Sequence, residues 1–309
     1  MPQALALTED RRRSTGESHQ ALYPLLTVPG LPLTIPAARH PEQEQLEADL
    51  FFACCKIGGL SEHPLGIVQV HPTDQQLTLR LLAEPYVIHY WAEFLMPRPN
   101  TDSGVSHPCD KIIGIPGLRT RREGSGLRLY RPGMPACIVL TGFNPRWWER
   151  ILNRLTPDYG LFNDVPDWTP LERAAYSAAL ELSFEPAAPF SSLLRRIRAT
   201  AGPGPINGTD AWSSMGGFRL ETTDGPPCPD LIRLLGHGPT GLGWEVRQKR
   251  CTCLCDHTHG DVGCNVTFQE PSTGKLVYYS NGKWGRMLDD ARRRETITEM
   301  NHAAFSLGS

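Results

Sequence analysis

Lysine is scarce in this sequence, and long apolar runs are absent. Only five of the 31 cationic side chains are lysines, which leaves 26 arginines, and the formal net charge is −2. A net charge this close to zero provides no overall field that would attract a partner of one sign. No stretch approaches the roughly 18 uninterrupted apolar residues of a membrane span, so we expect no membrane-spanning segment.

A secretory signal is also lacking. The N-terminal apolar run, Ala4 to Leu7, is shorter than the roughly 7–15 apolar residues of a signal peptide, and Asp10 follows it closely. The nine cysteines are an odd number and include a dense group near the C-terminus, which is not typical of a secreted disulfide framework. We therefore expect a cytoplasmic protein with reduced thiols.

Common catalytic fingerprints are missing as well. The sequence contains no Walker-type phosphate loop, no GxSxG elbow, no HExxH pair and no GxGxxG turn. We also recognise no internal repeat. The sequence therefore does not indicate any of the enzyme classes that these motifs mark. Whether the protein is an enzyme stays open.

Glycine and proline are abundant, with 29 and 28 residues respectively, which predicts many loops and short elements. The same bias, together with the arginine excess, is typical of a high-GC bacterial genome. A length of 309 residues suggests two domains at about 150 residues each. The loop AGPGPINGTD gives the best boundary, so we predict a mobile tail over 1–20, an α+β domain over 21–205 and a zinc-binding domain over 206–309.

Capping patterns predict the clearest helices. Residues 42–57 have acids in the first turns and apolar residues at helical spacing. Asn144-Pro145 is an N-cap followed by proline, and Thr169 to Glu172 is a capping box, so each opens a further helix. Further short helices are expected near residues 192–198 and 229–235, and a last one over 284–300.

Strand signals dominate residues 65–143, where we predict a mainly antiparallel sheet. We include YVIHYWAEFL, residues 86–95, among the strands because it is rich in aromatic and β-branched residues. Alternation predicts one buried face formed by Leu77, Leu79 and Leu81. The predicted fold class is α+β: a mainly antiparallel sheet flanked by short helices, with a C-terminal zinc-stabilised hairpin and helix region.

Cysteine and histidine crowd into residues 251–264. Zinc prefers four nitrogen or sulfur donors in a tetrahedron, and alternate residues of an extended strand share a face. Gly260 and Gly263 would let the chain bend back toward its last cysteine. We predict a structural zinc site here and leave open which four donors bind. The candidate ligands are Cys251, Cys253, Cys255, His257, His259 and Cys264.

The segment DHTHGDVGCN, residues 256–265, resembles the D-H-x-H…G…C…N core of the recombination endonuclease VII type of HNH (ββα-metal) nucleases. The resemblance implies that Asp256 binds a catalytic Mg²⁺ and that His257 is the general base that activates water. It offers Asn281 as a later metal-binding asparagine, although the surrounding SNGK is typical of a hairpin turn. The paired CxxC motifs of that family are missing from this sequence.

A second nuclease pattern is similar to the PD…ExK arrangement. Asp230 follows a proline, and Glu245 lies in a predicted strand two residues before Arg247, which replaces the lysine of that pattern. Asp230 is equally typical of a helix N-cap.

Two groups of basic residues predict surfaces that contact phosphate. One surrounds the turn at residues 124–126 and the other directly precedes the Cys/His segment. Arginine binds phosphate in a bidentate fashion, and aromatic residues interleave with the second group, as in many nucleic-acid surfaces. The candidate residues are Arg119, Arg121, Arg122 and Arg128 in the first group, and Arg247, Lys249 and Arg250 in the second.

Three functional hypotheses follow. The leading one is an intracellular, zinc-stabilised protein that binds nucleic acid, DNA included, through arginine-rich surfaces. The second is a metal-dependent, HNH-like endonuclease with Asp256 and His257 at its centre. The third is a non-catalytic factor that binds another protein, with zinc as its only cofactor. The sequence does not indicate an oligomeric state.

Overall fold

The computed structural model shows a mixed α+β chain with two five-stranded sheets in which antiparallel pairs dominate. It describes residues 2–27, 33–55, 61–182, 187–202, 207–214, 217–238, 240–250 and 264–282, and five residues between 295 and 302. The coarse fold class is confirmed. Zinc stabilisation of the C-terminal region remains a prediction.

Eight α-helices and twelve strands have defined bounds within the described ranges. The helices are α1 (Pro2–Thr15), α2 (His19–Thr27), α3 (Pro41–Cys55), α4 (Pro85–Leu95), α5 (Pro145–Tyr159), α6 (Pro170–Leu182), α7 (Ala187–Leu194) and α8 (Cys228–Gly236). The strands are β1 (Ile67–Pro72), β2 (Leu77–Leu81), β3 (Arg98–Pro99), β4 (Ile112–Ile113), β5 (Arg119–Glu123), β6 (Gly126–Tyr130), β7 (Cys137–Thr141), β8 (Gly208–Ser214), β9 (Gly217–Thr223), β10 (Glu245–Arg250), β11 (Cys264–Gln269) and β12 (Leu276–Gly282).

The first sheet has the strand order β1-β2-β7-β6-β5. Its neighbours are antiparallel except for β2 and β7, which run parallel. The predicted buried face is confirmed, because Leu77, Leu79 and Leu81 all lie in the core. The two short strands β3 and β4 form a separate ladder.

The second sheet repeats the connectivity of the first. Its order, read from the hairpin that starts it, is β8-β9-β12-β11-β10, and its one parallel pair joins β9 to β12. In each repeat a two-stranded hairpin is followed along the chain by a helix (α4 or α8) and then by a three-stranded meander. The last strand of the meander lies parallel to the second strand of the hairpin and joins the two parts into one sheet. The fold therefore contains an internal repeat that we did not recognise in the sequence.

A buried ion pair joins the helices that precede the two repeats. Glu47 of α3 accepts hydrogen bonds from Arg195, just beyond α7, at 2.7 and 2.8 Å, and from Ser191 of α7 at 2.6 Å. The side chains of Glu47 and Arg195 are both fully buried. Because the charges are paired and hydrogen-bonded, their burial is tolerated in the interior, and the pair fixes α3 against α7.

Aromatic rings continue this contact into the second sheet. Phe51 of α3 stacks on Phe190 of α7 with ring centroids 6.2 Å apart, and Phe190 lies 4.5 Å from Phe218 of β9. Trp244 connects Phe218 to Phe268 of β11. These contacts cross residue 205, and the predicted domain boundary there remains a prediction.

The prediction of a strand over residues 86–95 is wrong. These residues form α4, which begins at Pro85, and its apolar side chains are buried at positions three and four apart. Val87, Trp91 and Leu95 illustrate that spacing. The aromatic and β-branched composition favoured a strand, but the helical period and the proline at the first helical position decide the structure.

Residues 2–15 form a helix where the sequence led us to expect a mobile tail. Helix α1 contacts α8 through ion pairs of Arg13 with Asp230, at 2.9 Å, and of Asp10 with Arg233. After α1, Glu17 is buried and pairs with Arg11. The N-terminal segment therefore packs against the rest of the chain.

Both predicted helix caps are confirmed. Asn144 Oδ1 accepts a hydrogen bond from the Arg146 amide at the start of α5. At the start of α6, the Thr169 amide donates to Glu172 and the Glu172 amide donates to Thr169 Oγ1, which is the reciprocal pattern of a capping box.

The predicted last helix is described only in part. Most of residues 284–300 lie outside the described residues, but Glu295, Thr298 and Glu299 are helical. Beyond them, Asn301 Nδ2 donates to Glu84 at 2.7 Å, directly before α4.

Candidate functional site

The β5–β6 hairpin presents part of the first predicted basic group. Arg121 and Arg122 are exposed on β5, and Arg128 of β6 is half-buried and forms an ion pair with Glu123 at 3.3 Å. Arg121 and Arg128 face each other across the two strands. The guanidinium of Arg121 also lies 5.4 Å from the ring centroid of Tyr130. Two exposed cations and one partly neutralised cation therefore remain at this hairpin.

Arg119 does not belong to that surface. Its side chain is 2% exposed and forms a buried ion pair with Glu172 at 2.8 Å. Its remaining donors bind the carbonyl oxygens of Leu118, Val165 and Asp167. We correct the prediction for this residue, because a guanidinium with its donors occupied in the core has none to offer to phosphate.

The carboxyl group of Glu172 is held in its charged form by these contacts. Burial alone would raise its pKa, but hydrogen bonds from Arg119 and from the amides of Thr169 and Gly117 outweigh burial and lower that pKa below its ordinary value. The pair therefore connects the start of β5 to the start of α6.

Strand β10 presents the second predicted basic group. All six of its residues are exposed, and the strand lies at the edge of the second sheet. Glu245 pairs with Arg247 at 2.9 Å, and Arg247 Nε also donates to Gln269. Lys249 and Arg250 continue the exposed charge toward the end of the strand.

Arg121 and Arg122 of the first basic group lie on the strand of the first sheet that is equivalent to β10 in the second. Strand β5 is the first strand of the meander and the edge of the first sheet, and β10 holds the same place in the second. The order of the sequence does not reveal this relation, because β3, β4 and the loop around them interrupt only the first repeat.

Aromatic and cationic side chains line the outer face of the second sheet. One row crosses all five strands, because Trp212 pairs with Arg219, Arg219 with Tyr278, Tyr278 with Thr267 and Thr267 with Gln248. Trp212 is 40% exposed, and the guanidinium of Arg219 lies 5.7 Å from the Tyr278 ring centroid. This row ends at the basic strand β10.

The Cys/His segment connects β10 to β11. Most of the predicted metal ligands, and the predicted catalytic residues Asp256 and His257, lie outside the described residues; the ligands concerned are Cys251, Cys253, Cys255, His257 and His259. The strand ends on either side are described, with Arg250 paired to Asn265. In the first sheet the equivalent strands are joined by the tight turn between Glu123 and Gly126. The Cys/His segment therefore connects the pair of strands that this turn connects in the first repeat, with 13 residues between β10 and β11.

Cys264 is the predicted ligand whose surroundings are described. It is buried at the start of β11, and its thiol is hydrogen-bonded to that of Cys228, the first residue of α8. Burial, the hydrogen bond to Cys264 and the charge of Cys264 together raise the pKa of Cys228 to about 12. Sequence reasoning missed this pair, since no other cysteine is near Cys228 in the chain.

The described residues give the nuclease hypotheses little support. In a ββα-metal site a helix follows the two strands, whereas here β11 is followed by the third strand β12. Asn281 lies in β12 and not in a hairpin turn, and its Oδ1 accepts hydrogen bonds from the Thr222 hydroxyl and the Gly225 backbone amide. For the PD…ExK pattern, Asp230 and Glu245 each form an ion pair with an arginine.

A second group of metal-binding side chains was missed by sequence reasoning. Ligand atoms of His107, Cys109 and Asp110 lie within 4.8 Å of one another and could hold a metal ion. His107 Nδ1 is 3.0 Å from Cys109 Sγ, which is 3.5 Å from Asp110 Oδ1. His107 and Asp110 are exposed, and nothing indicates which metal would bind. The His-x-Cys-Asp spacing was the signal that could have revealed it.

No protein-family model, curated protein or solved structure matches this chain. None of the described helices combines the length and apolar character that crossing a bilayer requires. A function is therefore inferred from the residues of the chain itself.

Proposed function

We propose that this protein binds nucleic acid through the two equivalent edge strands, β5 and β10, and that zinc stabilises the turn that follows β10. The observation that carries the proposal is that exposed cations of both basic groups lie on the equivalent edge strands of a repeated sheet: Arg121 and Arg122 on β5, and Arg247, Lys249 and Arg250 on β10. In the first repeat Arg128, on the neighbouring strand β6 opposite Arg121, adds to the cations of β5.

The chemistry of these edges suits a phosphate backbone. Guanidinium groups bind phosphate oxygens in a bidentate fashion, and cations that neutralise phosphates release condensed counterions. Charged edge strands also prevent unwanted pairing between sheets. These two roles have different consequences. If the cations bind phosphate, the affinity for nucleic acid depends on them; if they only prevent pairing between sheets, the solubility of the protein depends on them.

The residues on the outer face of the second sheet favour a target that contains unpaired bases. Trp212 of β8 and Tyr278 of β12 lie on the same open face of the sheet, whose opposite edge from β8 is β10, and aromatic stacking binds single strands without reading their sequence. The adjacent row carries the acids Asp210 and Glu221, so positive charge increases toward β10. We therefore propose that a single strand would approach from the β10 edge.

The zinc part of the proposal rests on the donors between β10 and β11. Five cysteine and histidine side chains lie between β10 and β11, and Cys264 begins β11; the ends of the two strands are held together by pairing. We propose a closed, structural site, since the turn contains enough donors to complete a tetrahedral shell. A cytoplasmic location is part of the same proposal, because thiols remain reduced there.

Removal of edge charge tests the nucleic-acid proposal. Arg121→Gln with Arg122→Gln, or Lys249→Gln with Arg250→Gln, should each weaken binding of a fluorescent single-stranded oligonucleotide by at least about tenfold at 0.1 M salt. Fluorescence anisotropy measures the affinity. The matched control is Arg146→Gln with Arg150→Gln, which removes two exposed charges from α5.

The control should bind as the unmodified protein does. Equal losses of affinity in the control and in both edge variants would reduce the effect to net charge and contradict the proposal. If the edge variants keep their affinity for the oligonucleotide but aggregate, these residues maintain solubility and do not bind nucleic acid.

A further inference from the structure

A pocket of about 340 Å³ lies where the N-terminal segment packs against the rest of the chain. Its walls come from the end of α1, the turn that leads into α2, residues 198–201 beyond α7, and α8. Pockets that bind small molecules have volumes of about 300–1,000 Å³, so this one is large enough for a small ligand. No residue of the basic strands β5 and β10 lines it.

Three arginines line this pocket, and two of them are in the last turn of α1. Arg12 binds Glu9 through Nε and Nη2, which leaves Nη1 without a described partner. Arg13 binds Asp230 through Nη2 at 2.9 Å, which leaves Nε and Nη1. Both ion pairs are partly exposed, and exposed pairs contribute little to stability. These two cations therefore remain able to bind a ligand.

Arg198, the third arginine, is held most loosely. Its guanidinium donates one hydrogen bond, from Nη1 to the carbonyl oxygen of Ile67 at 3.5 Å, and its buried Nε has no partner among the described residues. The neighbouring Arg195 and Arg196 instead direct their donors to a buried acid and to backbone carbonyl oxygens. Buried donors normally have partners, so Arg198 retains donors that the fold does not use.

The end of α1 is fixed closely against Arg198. Gly16 follows α1 with a φ of +74°, and its amide donates to the carbonyl oxygen of Arg12 at 2.7 Å. A Cβ at this position would collide with the carbonyl oxygen of Val68 and would lie 3.4 Å from Cγ of Arg198. Glycine is therefore required here, and it brings the arginines of α1 and Arg198 to one pocket.

The pocket contains an excess of positive charge. Its one acid, Glu17, accepts hydrogen bonds from Arg11 at 2.8 Å and lies 2.9 Å from His71, so its charge is already balanced. Burial lowers the pKa of Arg198, and the charge of Glu62 opposes that shift only in part. An anion in the pocket would balance the charge of Arg198 and accept its remaining donors.

We propose that this pocket binds the phosphate group of a small molecule. A phosphate monoester carries about 1.5 to 2 negative charges at neutral pH and three strong acceptor oxygens. Three guanidinium groups match it better than they match a carboxylate, which has one charge and two oxygens, and the planar donors of arginine suit phosphate geometry. The site is separate from the edges proposed to bind nucleic acid and does not depend on them.

Calorimetric titration of the full-length protein with glycerol 3-phosphate tests this proposal, with glycerol as the uncharged comparison. The protein should bind the phosphate ester and not glycerol, and inorganic phosphate should compete. Arg198→Gln should weaken binding by at least about tenfold, because a hydrogen bond to a charged group typically contributes that much. Arg150→Gln is the matched control, since it removes one exposed cation from α5, outside the pocket.

The control should bind glycerol 3-phosphate as tightly as the unmodified protein does. Equal losses in the control and in Arg198→Gln would overturn the proposal, and so would an unmodified protein that binds neither phosphate. A loss in the variant with Lys249→Gln and Arg250→Gln, combined with full affinity in Arg198→Gln, would place phosphate on β10 and overturn it too.

A second variant applies if circular dichroism shows that Arg198→Gln fails to fold. Arg12→Gln with Arg13→Gln removes the other two cations of the pocket, whose side chains are partly exposed. It should also weaken binding of glycerol 3-phosphate by at least about tenfold, and unchanged affinity would contradict the proposal. These titrations involve no nucleic acid, so their outcome is independent of the nucleic-acid proposal.

Discussion

Burial distinguishes the roles of two arginines on one strand. Arg119 and Arg121 are separated by a single residue in β5 and would share a face in a regular strand. Arg119 nevertheless points into the core and binds Glu172, whereas Arg121 is exposed. Composition alone assigned both to a phosphate-binding surface, because the acid that pairs with Arg119 lies far along the sequence.

Arg119→Ala is expected to lower the free energy of unfolding by about 3–5 kcal/mol, since it leaves the buried carboxylate of Glu172 without its partner. Arg121→Ala should change that free energy by less than about 0.5 kcal/mol, as exposed substitutions usually do. Urea unfolding followed by circular dichroism measures both. Similar costs for the two variants would contradict the assignment of Arg119 to the core.

At the scale of elements, features that depend on neighbouring residues were predicted more accurately than strands that depend on distant partners. The caps at Asn144 and Thr169 fixed the starts of α5 and α6 correctly, because capping depends on residues within one turn. The hairpin turn expected at Asn281 is instead part of β12, since pairing with β9 and β11 extends the strand through it. Strand β8 was not predicted: it begins within the segment AGPGPINGTD, which was predicted to be a loop, and it pairs with β9 along its whole length.

The junction of α1 with the first sheet should depend on pH. The hydrogen bond to Glu17, at 2.9 Å, raises the pKa of His71 above its ordinary value of 6.5, although burial and Arg11 oppose it. For Glu17, burial raises the pKa, but the bonds from His71 and Arg11 prevail and lower it below 4.5. The pair therefore stabilises the fold most between the two ordinary values.

The sign of each contribution follows from linkage. Stability from His71 is fully present below pH 6.5 and is lost as pH rises through the raised pKa in the folded state. Stability from Glu17 is present above pH 4.5 and is lost as pH falls through its lowered pKa. His71→Gln should therefore flatten the fall in stability above pH 6.5. An NMR titration that gives His71 a pKa of 6.5 or less would contradict this.

For the whole molecule, the repeated sheet is the feature that sequence reasoning could not supply. The two repeats differ in their connections, with β3 and β4 inserted in one and the Cys/His segment in the other. The contact between Cys228 and Cys264 depends on the packing of α8 against β11, and their spacing in the sequence gives no sign of it. Residue types thus predicted the basic groups and the candidate metal ligands, whereas the fold shows that β5 and β10 are equivalent edges and that Cys228 lies close to Cys264.

The salt dependence of oligonucleotide affinity tests the central claim of two phosphate-binding edges most directly. The logarithm of the binding constant should fall linearly with the logarithm of salt concentration. Removal of the cations of β10 should make the slope shallower by roughly 0.7–0.9 for each phosphate that the protein no longer neutralises. An affinity that does not change with salt, or a slope that the variant leaves intact, would contradict the claim.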